Sequence, residues 1–191
     1  MGKKIIAIHG SPRKHGNSIY LAKQALKELE DKKYSVEEIF LHDFKIRPCK
    51  GCDACRKVIK GHCVIKDDMQ KIYKQVLSTD LLLLSSPIYW FTISAQLKLF
   101  FDRLYAVHND SFSALKGLKI GIILTYGDSD PIASGAVNAI RTIQDIASYT
   151  QAEIIGMVYG TASVLGDAKR DKKLVAKARA LGKALAHAKT K

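Results

Sequence analysis

"KIIAIHGSPRKHGNS", residues 4–18, carries an apolar run straight into a turn made of two glycines, a proline, an arginine and small polar residues. Ile19, Ala22, Leu26 and Leu29 follow at the spacing of one helix face. Where a strand hands over to a helix through such a turn, the backbone N–H groups of the turn and of the first helical residues converge. The helix dipole favours negative charge at the same spot. Phosphate suits it. Arg13 adds a bidentate, charge-assisted contact, and Ser11, Asn17 and Ser18 offer side-chain hydrogen bonds, with Asn17 or Ser18 serving also as the helix N-cap. The stretch is not a Walker A loop, since Asn17 stands where the lysine belongs, and it contains no GxGxxG fingerprint. An ordinary capped turn is the other reading of these residues taken alone.

Working outward, apolar and β-branched runs recur at residues 36–41, 81–85, 120–125 and 153–158, which with 4–9 make five buried strands. Ile93, Leu97, Phe100 and Leu104 mark a second helix face, and Asp130 with Pro131 reads as an N-cap and first position opening a helix to about Tyr149. Strands alternating with helices imply a parallel α/β sheet covered on both faces through right-handed crossovers. In such sheets ligands bind beyond the carboxyl ends of the strands, where the winding reverses. With 191 residues, 47% of them hydrophobic, the chain reads as one domain spanning 1–191.

The loops after the third and fourth strands then matter. "SSPIYWF", residues 85–91, holds Pro87, Ile88 and three consecutive aromatics, Tyr89, Trp90 and Phe91. Rings in a loop want a flat partner, or else they close over the core or form a subunit interface. "TYGD" adds Thr125, Tyr126 and Gly127. One phosphate loop and two loops able to frame a planar heterocycle suit a phosphorylated flavin.

"GSPRKHGNS", "SPIYWFTISAQLKLFFDRLY" and "CKGCDACRK" with "GHCVIKDDM" resemble the flavodoxin-like NAD(P)H-dependent FMN reductases, and among them the iron-sulfur flavoprotein group, over about residues 4–130. The resemblance implies a flavodoxin-like three-layer sandwich with strand order 2-1-3-4-5. It implies FMN phosphate on Ser11, Arg13, Asn17 and Ser18, with the isoalloxazine between residues 87–91 and 125–127. Ser18 stands where the family has threonine and keeps the hydroxyl. A nicotinamide donor, NADH or NADPH, would pass hydride to the flavin, which returns the electrons to a quinone, nitro compound, flavin or oxygen species. The alternative is an electron carrier between ferredoxin-like redox proteins and an acceptor. A homodimer or homotetramer is implied as well.

Cys49, Cys52, Cys55 and Cys63 form CxxCxxC with a return of seven residues, in an insertion of about 44–66 after the second strand. Three thiolates so spaced reach three corners of a cubane and a fourth completes it, so a [4Fe-4S] cluster stands beside zinc and free thiols as the readings left open. Lys45, Arg47, Lys50, Arg56, Lys57 and Lys60 surround them and would offset thiolate charge. A stable disulfide does not suit a cytoplasmic protein.

The net charge of +13 invites a nucleic-acid reading, but nine Lys or Arg against two Asp fall in residues 167–191, beside the apolar stripe Leu174, Ala178, Leu181 and Leu185. That is a docked helix with a solvated basic face, so no nucleic-acid partner is expected. Residues 81–101 hold the longest apolar stretch and are broken by Ser85, Ser86, Pro87, Ser94, Gln96 and Lys98, so no membrane span is expected. The N-terminus lacks a signal-peptide pattern, so the protein is expected in the cytoplasm. His9 reads as a packed histidine, His62 needs no ligand role, Lys98 and Asp102 read as a surface pair, and "KDDM" at 66–69 reads as a helix start. No hydrolase motif is present, and no catalytic acid or base is assigned.

Overall fold

Five strands pair in parallel in the order 2-1-3-4-5: β1 (Lys4–His9), β2 (Ser35–Phe40), β3 (Leu81–Tyr89), β4 (Lys119–Tyr126) and β5 (Glu153–Thr161). The structure is a computed structural model describing residues 3–58, 61–109, 112–113 and 115–189. A short strand, Thr92–Ile93, folds back antiparallel on Ile88–Tyr89, so the sheet holds six strands rather than the expected five. The order is the flavodoxin-like one, with its change of winding direction between β1 and β3.

Because successive side chains leave a strand on opposite faces, β1 feeds two cores. Ile5 and Ala7 pack with Leu21, Ala25 and Leu181 beneath α1 (Asn17–Glu30) and the C-terminal helix Lys172–His187. Ile6 and Ile8 pack on the other face with Ile72, Leu97, Phe100 and Ile143, which belong to α2 (Met69–Leu77), α3 (Ala95–Leu104) and α4 (Ala136–Thr150). Lys172–His187 is α5. Two-sided burial explains why β1, β3 and β4 read as continuous apolar runs rather than alternating ones; β2, at the edge, carries Glu37 and Glu38 and buries only Ile39, so it is not the fully buried strand expected at 36–41. α1 and α5 touch backbone to side: a Cβ on Gly182 would stand 2.2 Å from the Ala25 carbonyl oxygen, so glycine sets their approach.

Two boundaries differ from expectation. β3 does not stop at Ser85 but runs through Pro87, which pairs with Thr125 of β4. β1 has already ended opposite Ser85, so Pro87 lies at a local edge where its missing N–H breaks no bond. The helix expected from Asp130 starts instead at Ala136. The Asp130 carboxylate does accept from Ile132 N and Ala133 N, at 2.7 and 3.0 Å. The turn it caps ends at Gly135, whose left-handed φ of +71° stops a helix from running through.

Candidate functional site

Gly10 receives the chain from β1. Its N–H donates to Ser85 O at 2.8 Å, and its own carbonyl accepts from the Ser94 hydroxyl at 2.7 Å. A Cβ there would lie 2.6 Å from Ser94 Oγ, so the turn and the start of α3 are locked together. Ser11 is buried, and its hydroxyl accepts from Arg13 N at 3.1 Å. The N-cap of α1 is Gly16, in extended conformation and without a side-chain cap, rather than Asn17 or Ser18. The N–H groups of Asn17, Ser18 and Ile19 therefore have no acceptor one turn back.

Asn17 has other work. Its Nδ2 donates to Ala162 O at 3.0 Å and Val164 O at 2.8 Å, while its Oδ1 accepts from Gly166 N at 3.1 Å and Ala168 N at 3.3 Å. The side chain expected at the phosphate instead fastens the loop after β5 to the start of α1. Only its backbone N–H remains to face an anion.

These pieces frame one cleft of about 250 Å³ at the carboxyl edge of the sheet. Ser11, Arg13, Asn17 and Ser18 line one side, Pro87, Ile88 and Tyr89 another, and Thr125, Tyr126 and Gly127 a third. Burial pushes the Tyr126 phenol above its ordinary pKa. Ten of the twelve residues expected to hold a flavin are thus brought together, while Trp90 and Phe91 are not in the lining. Those two form the two-residue connection between Tyr89 and Thr92, both at positive φ (46° and 64°). Such hairpin turns favour Asn-Gly, and bulky residues there are strained. Gly135 and Asn138 brace the turn: the Asn138 amide donates to Phe91 O at 3.2 Å, and a Cβ on Gly135 would meet Phe91 Cβ at 2.4 Å. Trp90 is 90% exposed.

Ala162, Ser163 and Leu165 also line the cleft and were not anticipated. The signal for them was Asn17, an amide whose four-sided hydrogen bonding needs a partner loop. Below the cleft floor His9 is fully buried, with Nδ1 2.7 Å from Ser85 Oγ, Nε2 2.9 Å from Glu38 Oε2, and its ring against Phe40. The hydrogen bond with His9 holds the Glu38 carboxyl below its usual range, against partial burial.

The four cysteines line a second, small cavity of about 20 Å³ against the end of α3. Cys49 and Cys52 are exposed, Cys55 and Cys63 half-buried, and none is disulfide-bonded. Cys55 sits on a short helical turn, Ala54–Lys57. Burial pushes its thiol up, and the other three sulfurs add to that. Among the described residues, no three His, Cys, Asp or Glu groups gather at the spacing of a single ion's ligand shell. The basic residues expected to ease thiolate formation are partly engaged elsewhere. Arg56 stacks over the Tyr105 ring, Lys57 pairs with Asp53, and the Arg47 guanidinium donates to Lys66 O. Lys60 lies outside the described residues. The guanidinium that reaches a cysteine is Arg103, unmarked by any motif: Nη2 is 3.5 Å from Cys63 Sγ. Asp67 and Asp68 lead into α2 as expected, but Asp67 also pairs with Arg103. Burial works to raise the Asp67 carboxyl, and its hydrogen bonds from Arg103 and Arg47 N outweigh that and hold it below its ordinary value. Beside the cysteines, and sharing Cys49, opens an apolar cavity of about 330 Å³ between the ends of α3 and α4. Lys98 and Asp102 form the surface pair expected, 2.6 Å apart.

A 2-1-3-4-5 parallel sheet with a polar cleft at its switch point defines a flavodoxin-like α/β protein. More narrowly, the chain belongs to the NADPH-dependent FMN reductase family, whose model matches residues 3–159, and within it to the group named iron-sulfur flavoprotein. One protein of that name from Archaeoglobus fulgidus is 34% identical over 158 residues, covering 82% of this chain and 70% of the relative. Another, from Methanosarcina thermophila, is 35% identical over 142 residues, 74% of this chain and 71% of its own length. In fold, the NAD(P)H:quinone oxidoreductase from Methanothermobacter marburgensis superposes with a TM-score of 0.77 over 99% of this chain and 98% of its own, at 16% identity. The chain is accordingly an oxidoreductase of the NAD(P)H-dependent FMN reductase type.

Proposed function

We propose that the protein binds FMN in the cleft of the three converging loops and passes electrons from NADH or NADPH through it to a small acceptor, such as a quinone, nitro compound, free flavin or oxygen species. The observation that carries this reading is the convergence itself: an uncapped helix N-terminus, an arginine and two ring-framing loops around one cleft. The cleft fits the group. A Cβ on Gly16 would stand 3.0 Å from both Ser11 Oγ and Arg13 O, so the glycine keeps the phosphate turn tight enough for main-chain N–H groups to face an anion. When bound, FMN supplies two-electron acceptance from a nicotinamide and one- or two-electron return. The chain's share is orientation. Arg13 neutralises phosphate, Pro87 to Tyr89 and Thr125 to Gly127 frame the ring, and Trp90 and Phe91 stand at the rim rather than within it.

Cys49, Cys52, Cys55 and Cys63 are the proposed ligands of a [4Fe-4S] cluster. Their support is the CxxCxxC spacing and a buried guanidinium beside Cys63; the cavity all four line, about 20 Å³, has room for little more than one water and would have to widen to take a cubane. A cubane sets its four thiolates around a body of several atoms, wider than one ion's shell. A cluster at these cysteines would favour a second reading, an electron carrier exchanging with ferredoxin-like proteins, for which the net charge of +13 suits an acidic partner. Among the described residues no helix is long and apolar enough to cross a membrane, and free cysteines suit the cytoplasm. The exposed Trp90, Phe91, Ile132 and Val137 support a homodimer or homotetramer. The test is an absorbance spectrum of anaerobically prepared protein given FMN, followed by NADH or NADPH. Flavin bands that bleach on the catalytic timescale support the reductase, and slow bleaching with rapid exchange to a protein donor supports the carrier. Failure to retain FMN refutes both.

A further inference from the structure

Arg103 is 1% exposed, and its guanidinium makes four contacts, two in the cysteine insertion and two to Asp67 just after it. Nη1 donates to Asp67 Oδ2 at 2.6 Å and to Arg47 O at 2.7 Å, and Nη2 donates to Asp67 Oδ1 at 3.1 Å and to Cys63 Sγ at 3.5 Å. Asp67 in turn accepts from Arg47 N at 2.9 Å and Met69 N at 3.2 Å. The segment entering the insertion and the one leaving it thus close on one guanidinium, carried by the helix whose other end is locked to the phosphate turn. Arg103 lines the cysteine cavity, and its buried Nε has no acceptor among the described residues. A buried guanidinium that already donates to a cysteine sulfur is suited to stabilise an anionic, sulfur-rich group there.

We propose that Arg103 is the positioning residue of the cysteine site: it fixes Cys63 as the fourth cluster ligand and, by donating to sulfur, sets the cluster's reduction potential. The proposal rests on the cluster reading above. Hydrogen bonds and positive charge at the ligand sulfurs favour the reduced, more negative cluster, so they raise its potential. A lysine keeps the charge but lacks the planar fork that spans Asp67, Arg47 and Cys63 at once.

The experiment reconstitutes the FMN-bound protein anaerobically with iron and sulfide and compares it with Arg103→Lys and with the double variant Arg103→Met/Asp67→Asn, in which neither charge is buried alone. Retained FMN and a cooperative melt establish folding. Iron content, the rate of iron loss to a chelator, and the midpoint potential from a redox titration followed by electron paramagnetic resonance are then read. Both variants are expected to shift the potential to more negative values and to lose iron several-fold faster, the double variant more than the lysine. Lowered stability with an unchanged potential in the folded variants overturns the positioning role. Absence of iron in the unsubstituted protein overturns the cluster reading itself, and is told apart because it appears before any substitution.

Discussion

Asn17→Ala separates the role the structure gives this residue from the one its sequence position suggests. Its amide makes four hydrogen bonds of 2.8 to 3.3 Å to the 162–168 loop. A net hydrogen bond contributes about 0.5–1.5 kcal/mol. The Val164 contact is open to water and the two bonds to Oδ1 are the longer ones, so the loss of loop docking comes to about 2 kcal/mol. Since Ala162, Ser163 and Leu165 wall the cleft, a ligand must then order that loop on binding. The upper limit on lost affinity is roughly 30-fold. Titrating the variant with FMN and with riboflavin, by quenching of flavin fluorescence, decides the matter. Both ligands are expected to weaken by the same factor, because the loop does not distinguish them. A loss confined to FMN would mean that the amide contacts phosphate directly, and unchanged affinity for both would refute the reasoning altogether.

Arg13→Ala has the opposite signature: FMN binding falls about tenfold or more, as expected for a charge-assisted contact of about 1.5–3 kcal/mol, while riboflavin binding holds; equal losses in the same titration count against the phosphate assignment. Gly135→Ala forces a Cβ to within 2.6 Å of Phe91 Cα at a φ of +71°; a loss of about 2 kcal/mol or more, read as a drop in Tm of roughly 4–8 °C, is expected, and an unchanged melt refutes the bracing of the aromatic turn. Because His9 depresses the Glu38 pKa in the folded state, that group's stabilisation is present above its unfolded value and disappears as pH falls through the lower folded value. Thermal melts of Glu38→Gln and the unsubstituted protein should therefore differ at pH 6 and draw together only as pH falls below the ordinary glutamate value; a gap that does not narrow through the acid range refutes the linkage.

The sheet is legible because burial on both faces makes β1, β3 and β4 nearly continuous apolar runs, while the outer strands β2 and β5 are only partly covered; the cleft is legible because turn chemistry is local: Gly10, Gly16 and Arg13 declare themselves within seven residues. What escaped notice depends on partners distant in the chain. The loop at 162–168 carries no motif of its own; its polar fastening to α1 runs through Asn17, about 150 residues earlier, and Ala162 and Ala168 join the core beneath α1. Arg103 reads as one more polar residue on an amphipathic helix, and only the fold brings Asp67 and Cys63 to it. Asp130 and Pro131 form a valid cap, but of a turn that Gly135 stops, so α4 begins at Ala136. Trp90 and Phe91 point to the cleft by being aromatic and adjacent to it; the turn between β3 and Thr92 sets them outside its lining.

α3 spans ten residues, about 15 Å, and joins the N-cap serine that grips the turn after β1 to the arginine that grips the cysteine segment. Removing one residue from its middle would rotate everything beyond by about 100° around the axis, carrying Arg103 away from its partners while leaving Ser94 in place. Length along this rod is therefore quantised in a way that the surface loops are not. Descendants of this chain can lengthen the segments around it freely, whereas α3 tolerates changes of residue type but hardly any change of residue number.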